Sequence, residues 1–156
     1  MIVLFRVDHR LLHGQVAFTW TKAVGTDCIL IASDAVVKDE LRMTALRMAK
    51  PNSVKLVIKS IDDSIKALNS GVTDKYKLLI LCENIPDAAR LAEGYSKIKS
   101  INLGGLKNEV GKKQISKAIS VNKQDVEILK KLHNKGIELE IRMVPGDTKQ
   151  DVMTLI

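Results

Sequence analysis

Apolar and polar positions follow a repeating block pattern along this chain. Runs rich in β-branched and aliphatic residues occupy positions 1–7, 28–32, 54–58, 77–82 and 98–103. Each is followed by polar residues, and the early ones then by apolar positions at helical spacing. Continuous apolar runs of this length predict strands buried on both faces, as in a parallel sheet. Helices are predicted between them. The first spans about 14–24 and ends near Gly25; the second spans about 38–49 and stops at Pro51. Its expected apolar side carries Leu41, Ala45, Leu46 and Met48 or Ala49, with Lys38, Arg42 and Arg47 on a solvated face. A helix over 61–68 is capped by Ser60 and ended by Asn69-Ser70-Gly71, and Pro86 opens one that reaches Glu93. The pattern then changes. Residues 107–113 are polar, 115–121 suggest a short extended pair with the preceding segment, and Asn122 caps a helix over 123–134 that Gly136 stops. Residues 137–144 alternate apolar and charged positions, which predicts a half-exposed edge strand before a turn at Pro145-Gly146-Asp147. A short helix is expected at the end. Repeated strand–helix units imply one α/β domain over 1–156: an open, mainly parallel twisted sheet with helices on both faces.

Ligands of such sheets gather at the carboxyl ends of the strands. The first strand ends there in Asp8, His9 and Arg10, followed by Leu11, Leu12, His13, Gly14 and Gln15. If that strand is central, its loop lies at the topological switch point. His13 offers an imidazole that is nucleophilic near neutral pH. Arg10 offers a permanently charged fork suited to phosphate oxygens. The N–H groups of Gly14, Gln15 and Val16, if they open a helix, present donors to an anion. A nucleophile, a cation and an anion cradle suit a histidine that takes a phosphoryl group covalently and passes it on. Asp8 is a candidate to orient Arg10. Ser33 and Asp34 end the second strand on the same sheet edge, and Gly104 and Gly105 suggest close backbone approach to a ligand or a neighbouring loop. Two plainer readings compete: a lone loop histidine serving as a solvated or capping residue, and a metal bound by His9 and His13, for which no third ligand is evident.

Composition narrows the partners. The formal charge of +7 admits nucleic acid, an anionic membrane surface or an acidic protein. The lysines are spread along the chain, and Phe5, Phe18, Trp20, Tyr76 and Tyr95 are the only aromatic residues, which argues against a stacking platform for single strands. Cys28 and Cys82 sit inside apolar strands and read as small buried hydrophobes. Arg6, Asp8 and Arg10 interrupt the first run too early for a signal peptide, and no run approaches transmembrane length, so a cytosolic location is expected.

The segment R-V-D-H-R-L-L-H-G-Q-V, residues 6–16, resembles the active-site signature of the IIB component of the mannose/fructose/sorbose class of the bacterial sugar phosphotransferase system. Ala32-Ser33-Asp34, Asn102-Leu103-Gly104-Gly105 and the segment 136–142 extend the resemblance over nearly the whole chain. His9 stands where the family more often carries an acidic or small polar residue. The resemblance implies an antiparallel part near the C-terminal edge of the sheet. It also implies that His13 is phosphorylated on Nδ1 by a IIA protein, without metal or other cofactor, and donates to a sugar held by membrane IIC/IID components. The chain would then associate peripherally with that permease; a homo-oligomer is compatible with this, and nucleic acid is not an expected partner. A nucleotide- or nucleic-acid-binding module on an α/β scaffold is the alternative from another class, and a stand-alone phosphatase with a histidine nucleophile is a third.

Overall fold

A computed structural model describes residues 1–156. The chain runs β1 (Ile2–Asp8), α1 (Gly14–Val24), β2 (Cys28–Ala32), α2 (Glu40–Ala49), β3 (Lys55–Lys59), α3 (Ile61–Ser70), β4 (Leu78–Cys82), α4 (Ile85–Gly94) and β5 (Ser100–Gly105). There follow β6 (Lys113–Ser116), β7 (Ile119–Val121), α5 (Lys123–Asn134), β8 (Glu138–Ile141) and β9 (Gln150–Asp151). Seven strands form one sheet in the order β3-β2-β4-β1-β5-β8-β9. All neighbours are parallel except β8 and β9. β6 and β7 make a separate antiparallel hairpin.

The apolar runs predict these strands because β2 and β4 are buried at every position. Side chains on one face of the sheet pack with α1 and α2, through Leu12, Ala17, Trp20, Ile29, Leu46 and Leu81. The other face packs with α3, α4 and α5, through Phe5, Leu30, Leu68, Leu91, Leu103 and Leu129. β1 is therefore flanked by β4 and β5, and the helices that follow β1 and β4 leave toward opposite faces. In open sheets such a reversal marks the carboxyl end of β1 as the place where ligands bind.

Three local expectations change. Residues 137–144 do not form the edge: β8 is shorter, its Leu139, Glu140 and Ile141 are buried, and the two-residue β9 covers its outer side. α2 begins after Asp39, whose side chain accepts the Arg42 N–H, and Lys38 lies in a 3-10 turn before it. The buried side of α2 is Met43, Leu46 and Ala49; Leu41, Ala45 and Met48 point to solvent. Finally, the hairpin pairs Lys113–Ser116 with Ile119–Val121, so both of its strands lie within and just before the expected extended segment.

Gly104 is required by a neighbouring side chain. A Cβ at this position would fall within the guanidinium group of Arg6, which is buried against β5. The group is tethered and cannot swing away. Gly104→Ala is therefore expected to lower stability by about 1–3 kcal/mol, as overpacking of a buried site does. Urea unfolding would measure it, and an unchanged midpoint would show that Arg6 has room to move.

Candidate active site

The loop after β1 is fixed at three points. His9 N–H donates to Gly105 O at 2.9 Å and Leu11 N–H to Asp8 O at 2.8 Å. Leu11 and Leu12 bury their side chains under the α1–α2 side of the sheet. Leu11 is left-handed, with φ of 59°, which a non-glycine residue adopts at a cost of about 1–2 kcal/mol. Burying a leucine side chain contributes about 1.5–3 kcal/mol, enough to hold that conformation.

Asp8 is the hub of the loop. Its side chain is completely buried and meets three cationic or potentially cationic groups. Arg6 Nη2 donates to Oδ2 at 3.2 Å, and the Arg10 backbone N–H donates to Oδ1 at 3.0 Å. Arg10 Nε lies 3.7 Å from Oδ1, while more than half of its side chain is exposed. His13 Nε2 lies 3.0 Å from Oδ2. An ionised carboxylate only accepts, so Nε2 is the protonated nitrogen in this pair. That leaves Nδ1 as the nitrogen with the free lone pair.

His13 also occupies the N-cap of α1, with extended φ and ψ of −148° and 134°, yet its side chain makes no capping hydrogen bond. The ring is turned to Asp8 instead. The first turn holds no acidic side chain. The N–H groups of Gly14, Gln15 and Val16 therefore lie before the first α-helical bond, from Ala17 N–H to His13 O, with the positive end of the helix dipole behind them. Gly14 has φ of +42°, a backbone conformation that favours glycine at this entry into the helix.

A buried polar network behind the loop escaped the sequence reading. Arg6 Nη1 donates to Asn102 Oδ1 at 2.7 Å and to Arg142 O at 2.9 Å, and its Nη2 donates to Met143 O at 3.0 Å. Asn102 Nδ2 and Arg142 Nη2 both donate to Glu140 Oε1. Trp20 Nε1–H donates to Met143 O at 2.9 Å, and the Arg6 and Arg142 guanidinium groups lie 5.3 and 5.0 Å from the Trp20 ring. Burial pushes the Arg6 pKa down, opposed by the Asp8 charge. The available signal was a single arginine inside an apolar strand, which must find partners if the strand is central.

Not every expected residue joins the site. Ser33 Oγ donates to Glu83 Oε1 at 2.8 Å, and Arg42 holds the other Glu83 oxygen at 2.9 Å. Asp34 accepts from Ile61 N–H and Arg90, and Arg90 together with Ile61 N–H holds its carboxyl below the usual range. These residues share the sheet edge with His13 but are bonded within two other groups, Ser33 with Glu83 and Arg42, and Asp34 with Ile61 and Arg90. Gly104 makes room for Arg6, and a Cβ on Gly105 would stand 3.2 Å from Asp8 Oδ1. Both glycines thus serve close approach of side chains from β1. His9 is half-buried, and its pKa is pushed down by burial, with Arg10 and His13 adding to the effect and Asp8 opposing it. No group of three or more His, Cys, Asp or Glu side chains is placed to hold a metal ion.

The chain as a whole is similar to known proteins. The family model for the PTS system sorbose subfamily IIB component matches residues 2–156. The PTS system mannose-specific EIIAB component of Escherichia coli (strain K12) is 40% identical over 156 residues, covering 100% of this chain and 48% of that relative. The chain thus spans about half the length of that protein. The PTS system fructose-specific EIIB component of Bacillus subtilis (strain 168) is 35% identical over 155 residues, covering 99% of this chain and 95% of the relative. The crystal structure of the IIBSor domain of the sorbose permease from Klebsiella pneumoniae superimposes with a TM-score of 0.94 at 31% identity, covering 99% of this chain and 94% of that one. With a family match over nearly every residue and the same fold, the chain belongs to the sorbose subfamily of phosphotransferase-system IIB components.

Proposed function

We propose that His13 is the phosphoryl carrier of this IIB component, charged by a IIA protein and discharged to a sugar held by IIC/IID membrane components. The observation that carries this reading is the 3.0 Å contact between His13 Nε2 and the buried Asp8, which leaves Nδ1 as the nucleophile. In the first step the Nδ1 lone pair attacks phosphorus of the donor phosphohistidine in line, and the donor P–N bond breaks. In the second, a sugar hydroxyl attacks phosphorus, the bond to Nδ1 breaks with its electron pair returning to the ring, and the hydroxyl proton passes to solvent. Asp8 holds the ring through both steps and stabilises the imidazole N–H as Nδ1 carries phosphorus. The exposed end of Arg10 and the N–H groups of Gly14, Gln15 and Val16 neutralise charge on the equatorial oxygens. Asp8 accepts the Arg10 N–H, so it fixes the loop on which that cation is carried.

The cysteines support the same assignment by elimination. Cys28 and Cys82 are both buried, and burial pushes both thiols up, Cys82 strongly. A thiol that resists ionisation is a poor phosphoryl acceptor. No helix is long and apolar enough to cross a membrane, so in this reading the permease supplies the membrane attachment of a cytosolic component. The IIA partner is suggested by the mannose-specific EIIAB relative, whose additional length lies outside the match.

Incubation with a phosphorylated IIA protein, followed by mass measurement, tests the site. Wild type should gain one acid-labile, base-stable phosphate. His13→Ala should gain none, while His9→Ala should still gain one. Label retained by His13→Ala would overturn the assignment. Arg10→Lys keeps the charge but loses the fork, and should slow transfer by roughly tenfold or more while the protein folds normally. Unchanged rates in both transfer steps would reduce Arg10 to a surface charge. The net charge of +7 should assist docking of an acidic donor face, so transfer at limiting protein concentration should slow as salt rises. Tight, sequence-selective DNA binding at physiological salt would instead favour a nucleic-acid module.

A further inference from the structure

A cavity of about 360 Å³ opens along the edge strand β3, which β2 and β4 separate from β1. Cys28, Lys55 and Leu78 are in register across β2, β3 and β4 near their amino ends, whereas His13 follows the carboxyl end of β1. The period of two places Lys55, Val57 and Lys59 on one face of β3, the face over which α3 runs. No residue of β3 is fully buried, so α3 leaves part of this face open. Val57 and Ala67 provide an apolar floor over the buried Leu30 and Leu78, and Val72, itself largely exposed, forms part of the wall.

The charge around that floor is of one sign. Lys55, Lys59 and Lys75 line the cavity, no acidic residue does, and none of the three has a carboxylate partner within 4.0 Å. Two of these cations are gathered by one ring. Lys55 Nζ donates to the Tyr76 hydroxyl oxygen at 3.1 Å, and the Lys55 and Lys75 ammonium groups each stand 5.2 Å from the Tyr76 ring centroid. They are thus held within roughly a Debye length of each other, where their mutual repulsion is relieved by an anion between them. The Tyr76 hydroxyl, accepting from Lys55, keeps its own proton to donate. Apolar lining with a few convergent polar groups, at the lower end of the size range for small-molecule sites, describes a ligand pocket.

We infer that this cavity binds a small organic anion: a carboxylate or phosphate end held by Lys55, Lys75 and Tyr76, on an apolar alkyl or aryl body lying over Val57 and Ala67. The apolar floor selects against a polyhydroxylated body such as a sugar phosphate, whose hydroxyls would be left without partners. This is a site separate from His13, and it does not depend on phosphoryl transfer there.

Amide chemical-shift titration of the whole protein tests the inference, with octanoate, phenyl phosphate, a hexose phosphate and inorganic phosphate as probes. Octanoate and phenyl phosphate should shift the amides of Lys55, Val72 and Tyr76 saturably, with Kd of roughly millimolar or below, as expected for ligands of this size. Octanoate alone binding would assign the carboxylate; phenyl phosphate alone, the phosphate. Hexose phosphate and inorganic phosphate should leave these amides in place. Lys55→Met combined with Lys75→Met should weaken binding about tenfold or more. Val72→Glu, which puts a carboxylate in the wall, should abolish it. Both variants should keep dispersed spectra and wild-type phosphoryl acceptance at His13. Absence of saturable shifts with both amphipathic probes, wild-type binding in the double variant, or equal shifts with inorganic phosphate would overturn the inference.

Discussion

Everything at the candidate active site depends on one buried carboxylate. Asp8 lies at the end of the central strand with no exposure, and an isolated charge there would cost several kcal/mol. It is retained because Arg6, the Arg10 backbone and His13 surround it. Each of those partners is in turn placed by another part of the chain. Arg6 is held by Asn102 on β5 and by the carbonyls of Arg142 and Met143 after β8. The Met143 carbonyl also receives Trp20, the anchor of α1, so the helix that carries the anion cradle and the carboxylate that orients the ring are tied to the same turn.

The fold explains why this is possible only at β1. β4 and β5 flank it, and the connections after β1 and β4 leave toward opposite faces. A charged loop at this point exposes Arg10 and has rigid strands on both sides. The same centrality forces the supporting polar groups inward, so the site is underpinned by an arginine, an asparagine and a glutamate where an ordinary parallel sheet would carry aliphatic residues. Gly104 belongs to this arrangement through the space it leaves for Arg6.

Local signals carried the reading of β1, the loop and α1, because chemistry and geometry lie within sixteen consecutive residues. The partners of Arg6 were not legible in that way. Asn102 and Arg142 are 96 and 136 positions away and meet it only through strand order. Ser33 and Asp34 were placed on the correct edge, but their bonds to Glu83, Arg90 and Ile61 depend on β4 and on α3 and α4. α2 carries two apolar stripes, and periodicity cannot choose between Leu41-Ala45-Met48 and Met43-Leu46-Ala49; the Asp39 cap and the position of the sheet decide it. β8 looked like an edge because Glu138, Glu140 and Arg142 alternate with apolar residues, yet the Glu140 charge is drawn inward by Asn102 and Arg142.

The most direct test of the account is the identity of the ring nitrogen that bears phosphorus. Nitrogen-15 and phosphorus-31 correlation in the phosphorylated protein, labelled at histidine, reads it without mutation. With Asp8 holding Nε2, coupling to phosphorus should appear at His13 Nδ1, and Nε2 should remain protonated. Coupling to Nε2, or phosphorus on any other residue, would contradict the role given to Asp8 and with it the mechanism built on that contact.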